Sequence, residues 1–400
     1  MICDLLRESN TSLSYAAWLA VQKLRPDDFI LERQDGNFGW QRFAAAGLCQ
    51  AVPVEGVACE TNESWDASEN HATRIIVNGY LRVAWQGHTL HLLQLQRESA
   101  SCGTMLHQYV VAASAAIAQE FFAAVCRWNS TIREEVLVFQ QGHWDKDQEL
   151  FQSIQQSRLD SLILPPGLKE TIHADAAGFF QSRERYRRFN IPWKRGLILL
   201  GPPGNGKTHM IQGLINELKH PCLYVRSLKA RYQNEDYSIH QVFERARAAA
   251  PCVLVLEDID ALITAETRSY FLNELDGFRK NEGLLVIATT NHPERLDPAI
   301  VDRPSRFDRK YHFDLPALPE RRAYLTWWNG QLEAELRLSA PGLHAAADAT
   351  DGFSFAYLKE LAMAATMGWF NQPGAGMDAV VVEQARFLRT QMTTTTGAAS

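Results

Sequence analysis

The sequence predicts an α/β fold: a doubly wound parallel sheet with a C-terminal helical lid and an N-terminal α+β domain. Three observations carry the prediction. Between residues 196 and 313, short apolar runs alternate with helix-length segments, the pattern of strands buried on both faces and joined by crossover helices. The first run, 196–200, leads into a glycine-rich turn that opens a helix. After Leu315-Pro316 the strand signals stop and only helix-like segments remain.

Taken in order, residues 1–155 are expected to be a separate α+β domain whose role no motif reveals. The segment 1–24 contains Asp4 and Glu8 and lacks the basic-then-apolar order of a secretory signal. From Arg74 to Arg97 apolar residues alternate, broken at Gly87, which predicts a two-stranded hairpin. The alanine-rich run 104–128 predicts a helix, and 136–140 a strand followed by His143-Trp144. Pro165-Pro166-Gly167 precedes a helix over 168–180 inside the core, which is set at 156–315. Its strands are expected at 196–200, 222–226, 252–256, 284–289 and 310–313. The lid, 316–392, should hold helices at 319–336, 354–370 and 380–389, and the threonine-rich 393–400 reads as a disordered tail.

The turn after the first strand is Gly201-Pro202-Pro203-Gly204-Asn205-Gly206-Lys207-Thr208, followed by His209. Glycines there permit dihedrals and a closeness of approach that side chains block, so successive N–H groups can face a phosphate. A helix start adds its positive dipole end, Lys207 a compact cation and Thr208 a hydroxyl for Mg²⁺. The turn is therefore a triphosphate-binding loop.

Such a loop needs carboxylates for metal and water. The strand Val253-Leu254-Val255-Leu256 ends in Glu257-Asp258-Ile259-Asp260. The usual order of the two acids is reversed: Glu257 stands where the metal-side acid is expected, and Asp258 where the base that activates water is expected. Either remains a candidate for each task, and both are candidate metal groups with Thr208. A third strand ends in Asn291, whose amide suits orientation of the attacking water. Further on come Asp302-Arg303-Pro304-Ser305-Arg306.

Together these motifs resemble the AAA ATPases. The resemblance implies ATP with Mg²⁺ as ligand, Asn291 as polar sensor, and Arg303 and Arg306 as arginines offered to a neighbouring subunit's γ-phosphate. It also implies a homo-oligomeric ring, hexamer or heptamer, and a lid helix beginning near Asp351-Gly352-Phe353-Ser354. Within the superfamily, Leu159 to Leu164, Trp193-Lys194-Arg195-Gly196, the reversed acids and Thr289-Thr290-Asn291-His292 are similar to the translocase subgroup. Its best-known member inserts the Rieske iron–sulfur subunit during assembly of the mitochondrial cytochrome bc complex. The likeness spans 159–315 and extends weakly over 104–128 and 136–144. Two features depart from the pattern. No run of about eighteen apolar residues suggests a membrane span, and the segment holding Tyr232 lacks the glycine of a peptide-threading loop.

Composition is that of a globular protein: 400 residues, 46% hydrophobic and 22% charged, with a formal net charge of -6. Such a balance gives no general attraction to nucleic acid. Arginines at 183, 185, 187 and 188 form a local basic patch interrupted by Glu184. Seven scattered cysteines without C-x-x-C spacing fit a reducing, cytoplasmic setting. His88 and His91 sit in an alternating strand pattern without further ligands, and no H-E-x-x-H is present. The functional expectation is an ATP-hydrolysing machine that remodels a protein client. The alternatives are a nucleic-acid motor or loader and a slow nucleotide-dependent scaffold.

Overall fold

The computed structural model describes residues 13–33, 38–66, 71–99, 103–130, 136–231, 234–276, 281–303, 305–371 and 376–396. The chain divides into two compact units, Met1–Thr131 and Ile132–Ser400. Tyr232 lies outside the described residues.

The first unit holds α1 (Leu13–Leu24), β1 (Phe29–Glu32), α2 (Trp40–Ala45), β2 (Gln50–Pro53), β3 (Glu60–Asp66), β4 (His71–Trp85), β5 (His88–Ser99), β6 (Gly103–Ala112) and α3 (Ala115–Ser130). Its antiparallel sheet runs β1-β6-β5-β4-β2, with β3 pairing β4. The hairpin expected over 74–97 is β4–β5, turning at Gln86 and Gly87, both of positive φ. The helix expected over 104–128 is corrected: 103–112 is strand, and only 115–130 is helical. Tyr109 and Val111 bury on one face of β6 with Ala17 and Val21 of α1. Val110 and Ala112 bury on the other with Phe121 and Val125 of α3. A strand covered on both sides has no polar alternation, so the alanine-rich run hid it.

The second unit contains β7 (Val136–Gln140), β8 (His143–Asp147), α4 (Gln148–Gln156), α5 (Leu168–Gln181), α6 (Arg183–Arg188), β9 (Lys194–Leu200), α7 (Lys207–Leu218), β10 (Cys222–Val225), α8 (Glu235–Ala249), β11 (Cys252–Leu256), α9 (Ile259–Leu262), α10 (Arg268–Asp276), β12 (Leu284–Thr290), α11 (Pro298–Val301) and β13 (Arg309–His312). The sheet order is β13-β9-β12-β11-β10-β7-β8. All neighbours are parallel except β8, which returns antiparallel on β7. The boundary expected near residue 155 therefore differs from the structure. Val136–Gln140 joins the core sheet by parallel pairing with β10, a long-range partner that local sequence does not announce.

Alternating strand residues feed two cores. Ile198, Leu254, Leu256 and Val286 pack with Val242 and Phe243 of α8 and Phe271 of α10. Leu197, Leu199, Val253, Val255 and Ile287 pack on the other face with Ile172 and Phe179 of α5 and Met210 and Leu214 of α7. Each such fully buried side chain stabilises by about 1.5–3 kcal/mol. This double coverage makes the strands nearly continuous in hydrophobicity, and it lines their carboxyl ends along one edge: Leu200 pairs with Thr290 and Leu256 with Ala288. In open α/β sheets ligands bind at that edge.

The C-terminal region is helical: α12 (Leu318–Gln331), α13 (Ala340–Ala349), α14 (Phe355–Asn371) and α15 (Met377–Thr396), with its own core around Leu325, Phe353, Leu358 and Val381. The tail expected to be disordered from 393 is corrected in part, since α15 continues to Thr396. Extending a formed helix fixes one residue per added bond and needs no new nucleus. Residues 397–400 lie outside the described residues. Among the described residues no helix is long and apolar enough to cross a membrane.

Candidate nucleotide-binding site

The glycine-rich turn leaves β9 at the sheet's carboxyl edge and winds into α7. Gly201, Gly204 and Gly206 adopt φ of +144°, +78° and +90°. At Gly201 the requirement is also steric: a Cβ would lie 2.3 Å from the Phe313 carbonyl oxygen. The turn is anchored on both sides of β9, as Gly201 N–H donates to Thr290 O at 3.3 Å and Phe313 N–H to Leu200 O at 2.7 Å. Asn205 is buried, its side chain donating to Phe313 O at 3.4 Å and accepting from Phe355 N–H at 3.4 Å. Its side chain therefore ties the turn to the lid, leaving its backbone N–H for an anion. The Ala356 N–H of α14 donates to Gly204 O at 3.0 Å, a second tie. Pro202 is half-buried and Pro203 exposed.

Lys207 is buried at the start of α7, and its Nζ donates to Gly201 O at 2.6 Å, Pro202 O at 2.9 Å and Asn291 Oδ1 at 2.8 Å. Burial lowers its pKa from the ordinary lysine value, against the raising pull of Asp258, Glu257 and Asp260. Thr208 is exposed, while His209 Nε2 lies 3.2 Å from Arg158 O and 3.3 Å from Ser161 Oγ.

Asn291 completes a chain. Its Oδ1 accepts from Lys207 and its Nδ2 donates to Asp258 Oδ1 at 2.7 Å. Asp258 is itself left-handed, φ 50°, and its N–H is held by Thr289 Oγ1 at 3.0 Å. The Thr290 hydroxyl donates to Asp260 Oδ1 at 2.6 Å. The two threonines, both buried, thus clamp the acidic turn from the neighbouring strand. Sequence reading passed over that role; the cue was a pair of hydroxyls at the end of an otherwise aliphatic strand. Glu257 points its Oε2 at the Tyr224 hydroxyl, which donates to it, and its Oε1 is buried without a hydrogen-bond partner.

The two arginines divide. Arg303 is exposed, 4.0 Å from Asp276 Oδ2. Arg306 is buried: its Nη1 donates to Ala299 O, and its Nε lies 3.8 Å from Asp276 Oδ2. Arg306, unlike Arg303, is enclosed within its own chain. The physical reason is the tight seat of its loop, where a Cβ on Gly196 would meet the Arg306 carbonyl at 1.9 Å. Asp276, absent from the sequence reading, gathers the loop by also accepting from Lys194 Nζ at 3.1 Å and Ser305 Oγ at 2.8 Å.

The donor set fits a magnesium nucleotide. An exposed threonine hydroxyl, an unpartnered carboxylate oxygen on Glu257 and the Asp258 carboxylate are hard oxygen groups of the kind Mg²⁺ takes alongside phosphates and water. The buried cation of Lys207 and the loop N–H groups fit the phosphates.

Residues 197–315 match the model of the ATPase family associated with various cellular activities (AAA). The chain is 35% identical over 253 residues to the ATP-dependent zinc metalloprotease FtsH of Acidothermus cellulolyticus, covering 58% of this chain and 36% of that protein. It is 36% identical over 151 residues to the ribosome biogenesis ATPase RIX7 of Saccharomyces cerevisiae, covering 34% of this chain and 18% of that one. Against the cell division cycle protein 48 homolog of Archaeoglobus fulgidus it is 31% identical over 198 residues, covering 46% and 26%. The chain thus spans about a third or less of the length of these relatives.

Proposed function

Residues 197–315 being an AAA ATPase domain, we propose that the chain binds MgATP at 201–208 and hydrolyses it. Lys207 and the N–H groups of the loop hold the phosphates, Thr208 and Glu257 face the metal ion, and Asp258 with Asn291 places and deprotonates the water. The metal supplies charge neutralisation on the phosphate oxygens when bound. Arg303 is the arginine available to a neighbouring copy, which makes the working form a homo-oligomeric ring, hexamer or heptamer. An arginine supplied in trans is worth about 10³ to 10⁵ in rate.

The observation that carries this reading is the chain Lys207–Asn291–Asp258, bonded at 2.8 and 2.7 Å. It brings a cation from the start of α7 and an amide and a carboxylate from two strand ends to one point, the placement that phosphoryl transfer requires. The work done with the energy is the remodelling of a protein client in a reducing, cytoplasmic setting. The AAA domain and the free thiols of Cys49, Cys59, Cys222 and Cys252 support that reading. The reversed Glu257-Asp258 order favours kinship with the translocase subgroup within the superfamily. A proteolytic function is not part of the proposal, since the sequence contains no H-E-x-x-H.

ATP binding and phosphate release by the wild type, Lys207→Ala and Asn291→Ala test the assignment. The lysine variant should lose nucleotide affinity; the asparagine variant should keep affinity and lose about a hundredfold in turnover. Unchanged binding in the first and unchanged turnover in the second would refute it.

A further inference from the structure

The two acids at the end of β11 are held differently, and the difference comes from β10. Tyr224 pairs in register with Val255. Residues level with one another on parallel strands share a face, and side chains two apart on a strand also do. Tyr224, Val255 and Glu257 therefore project to the same side, the side on which Met210 and Leu214 of α7 pack. Half-buried there, the Tyr224 hydroxyl donates to Glu257 Oε2, while Glu257 Oε1 is enclosed and has no hydrogen-bond partner. A tyrosine hydroxyl is a donor at neutral pH, and the carboxylate oxygen facing it can only accept. Asp258 is held instead by Asn291. A cavity of about 340 Å³ opens beside the pair, lined by Tyr224, Arg226, Lys229, Glu257 and Asp258 among others.

We infer that Tyr224 is a positioning residue that divides the labour of the reversed acids: by taking Oε2 of Glu257 it fixes that carboxylate with Oε1 left for the metal ion, and so leaves the water to Asp258. A buried carboxylate oxygen without a donor is costly, and a cation is the partner that resolves the cost. Without the hydroxyl, the Glu257 side chain regains rotamers in which neither oxygen is directed. The inference rests on the MgATP reading above and adds a residue that no motif contains.

The test uses the full chain with a fluorescent ATP analogue, titrated in EDTA and across a range of Mg²⁺ and, separately, Mn²⁺. In Tyr224→Phe, which keeps the ring and its packing, the metal concentration giving half-maximal tight binding should rise about tenfold, equivalent to about 1.4 kcal/mol. Affinity in EDTA should match the wild type. Added to Glu257→Gln, Tyr224→Phe should cost nothing further, because the carboxylate it positions is gone. An unchanged metal dependence, an equal loss with and without metal, or full additivity of the two substitutions would each overturn the inference. Failure of the wild type to bind the analogue would remove the nucleotide reading and this inference with it; normal wild-type binding with an indifferent Tyr224→Phe removes the inference alone.

Discussion

Replacing Arg306 and Arg303 by alanine separates an arginine enclosed in its own chain from one exposed to solvent. In Arg306 the guanidinium is buried, donates to the Ala299 carbonyl and lies 3.8 Å from Asp276. A hydrogen bond from a charged group is worth about 1.5–3 kcal/mol. Truncation also enlarges a cavity of about 240 Å³ that Arg306 lines with Lys194, Gly196 and Asp308. The expected cost of Arg306→Ala is therefore about 2–4 kcal/mol of stability. Arg303 has a side chain 66% exposed and only a 4.0 Å approach to Asp276, so Arg303→Ala should change stability by less than about 0.5 kcal/mol. Urea unfolding, followed by tryptophan fluorescence at fixed protein concentration, reads both. Turnover at saturating ATP should fall about a thousandfold or more in Arg303→Ala with nucleotide affinity retained. The reasoning is refuted if Arg306→Ala is as stable as the wild type, or if Arg303→Ala turns over normally while Arg306→Ala alone is inactive.

Gly201→Ala should destabilise the core by several kcal/mol and abolish nucleotide binding, because a Cβ would stand 2.3 Å from the Phe313 carbonyl at a φ of +144°; a variant with wild-type melting and affinity contradicts the loop geometry. Among the described cysteines, Cys49 and Cys252 should resist alkylation at pH 8 in the folded protein, since burial pushes their thiols up to about 11 and about 12. Raising the pH toward those values is needed to form the reactive thiolate, so labelling of Cys49 should lag that of half-buried Cys59, whatever the reagent's rate with free thiol. Mass mapping after brief iodoacetamide treatment checks it, and early modification of Cys252 would count against its burial.

Legibility followed how local the cause was. The strands 252–256 and 284–290, and the turn from Gly201 to Thr208, are written in consecutive residues, since double burial yields unbroken aliphatic runs and phosphate binding demands glycines in order. The strand at 103–112 reads as helix in the sequence because tertiary coverage by α1 and α3 erases its alternation. Helix α13 went unread because Pro341 and Gly342 occupy its first turn; proline is tolerated there, and the Ser339 side chain caps Gly342 N–H at 3.1 Å. In the site, the sequence supplied the identities of Lys207, Glu257, Asp258 and Asn291, but their bonding order depends on strand adjacency. The burial of Arg306 and the part of Asp276 were out of reach for the same reason. Both depend on a loop more than a hundred residues from Gly196, the glycine on which it packs.

A crystal structure of the full chain with a non-hydrolysable ATP analogue and Mg²⁺ tests the central claim most directly. The phosphates should lie against the N–H groups of residues 204–208, with Lys207 Nζ moved from the carbonyls of Gly201 and Pro202 to a phosphate oxygen. Nucleotide density away from this turn, or a Lys207 that keeps its three present bonds beside a bound triphosphate, would contradict the account.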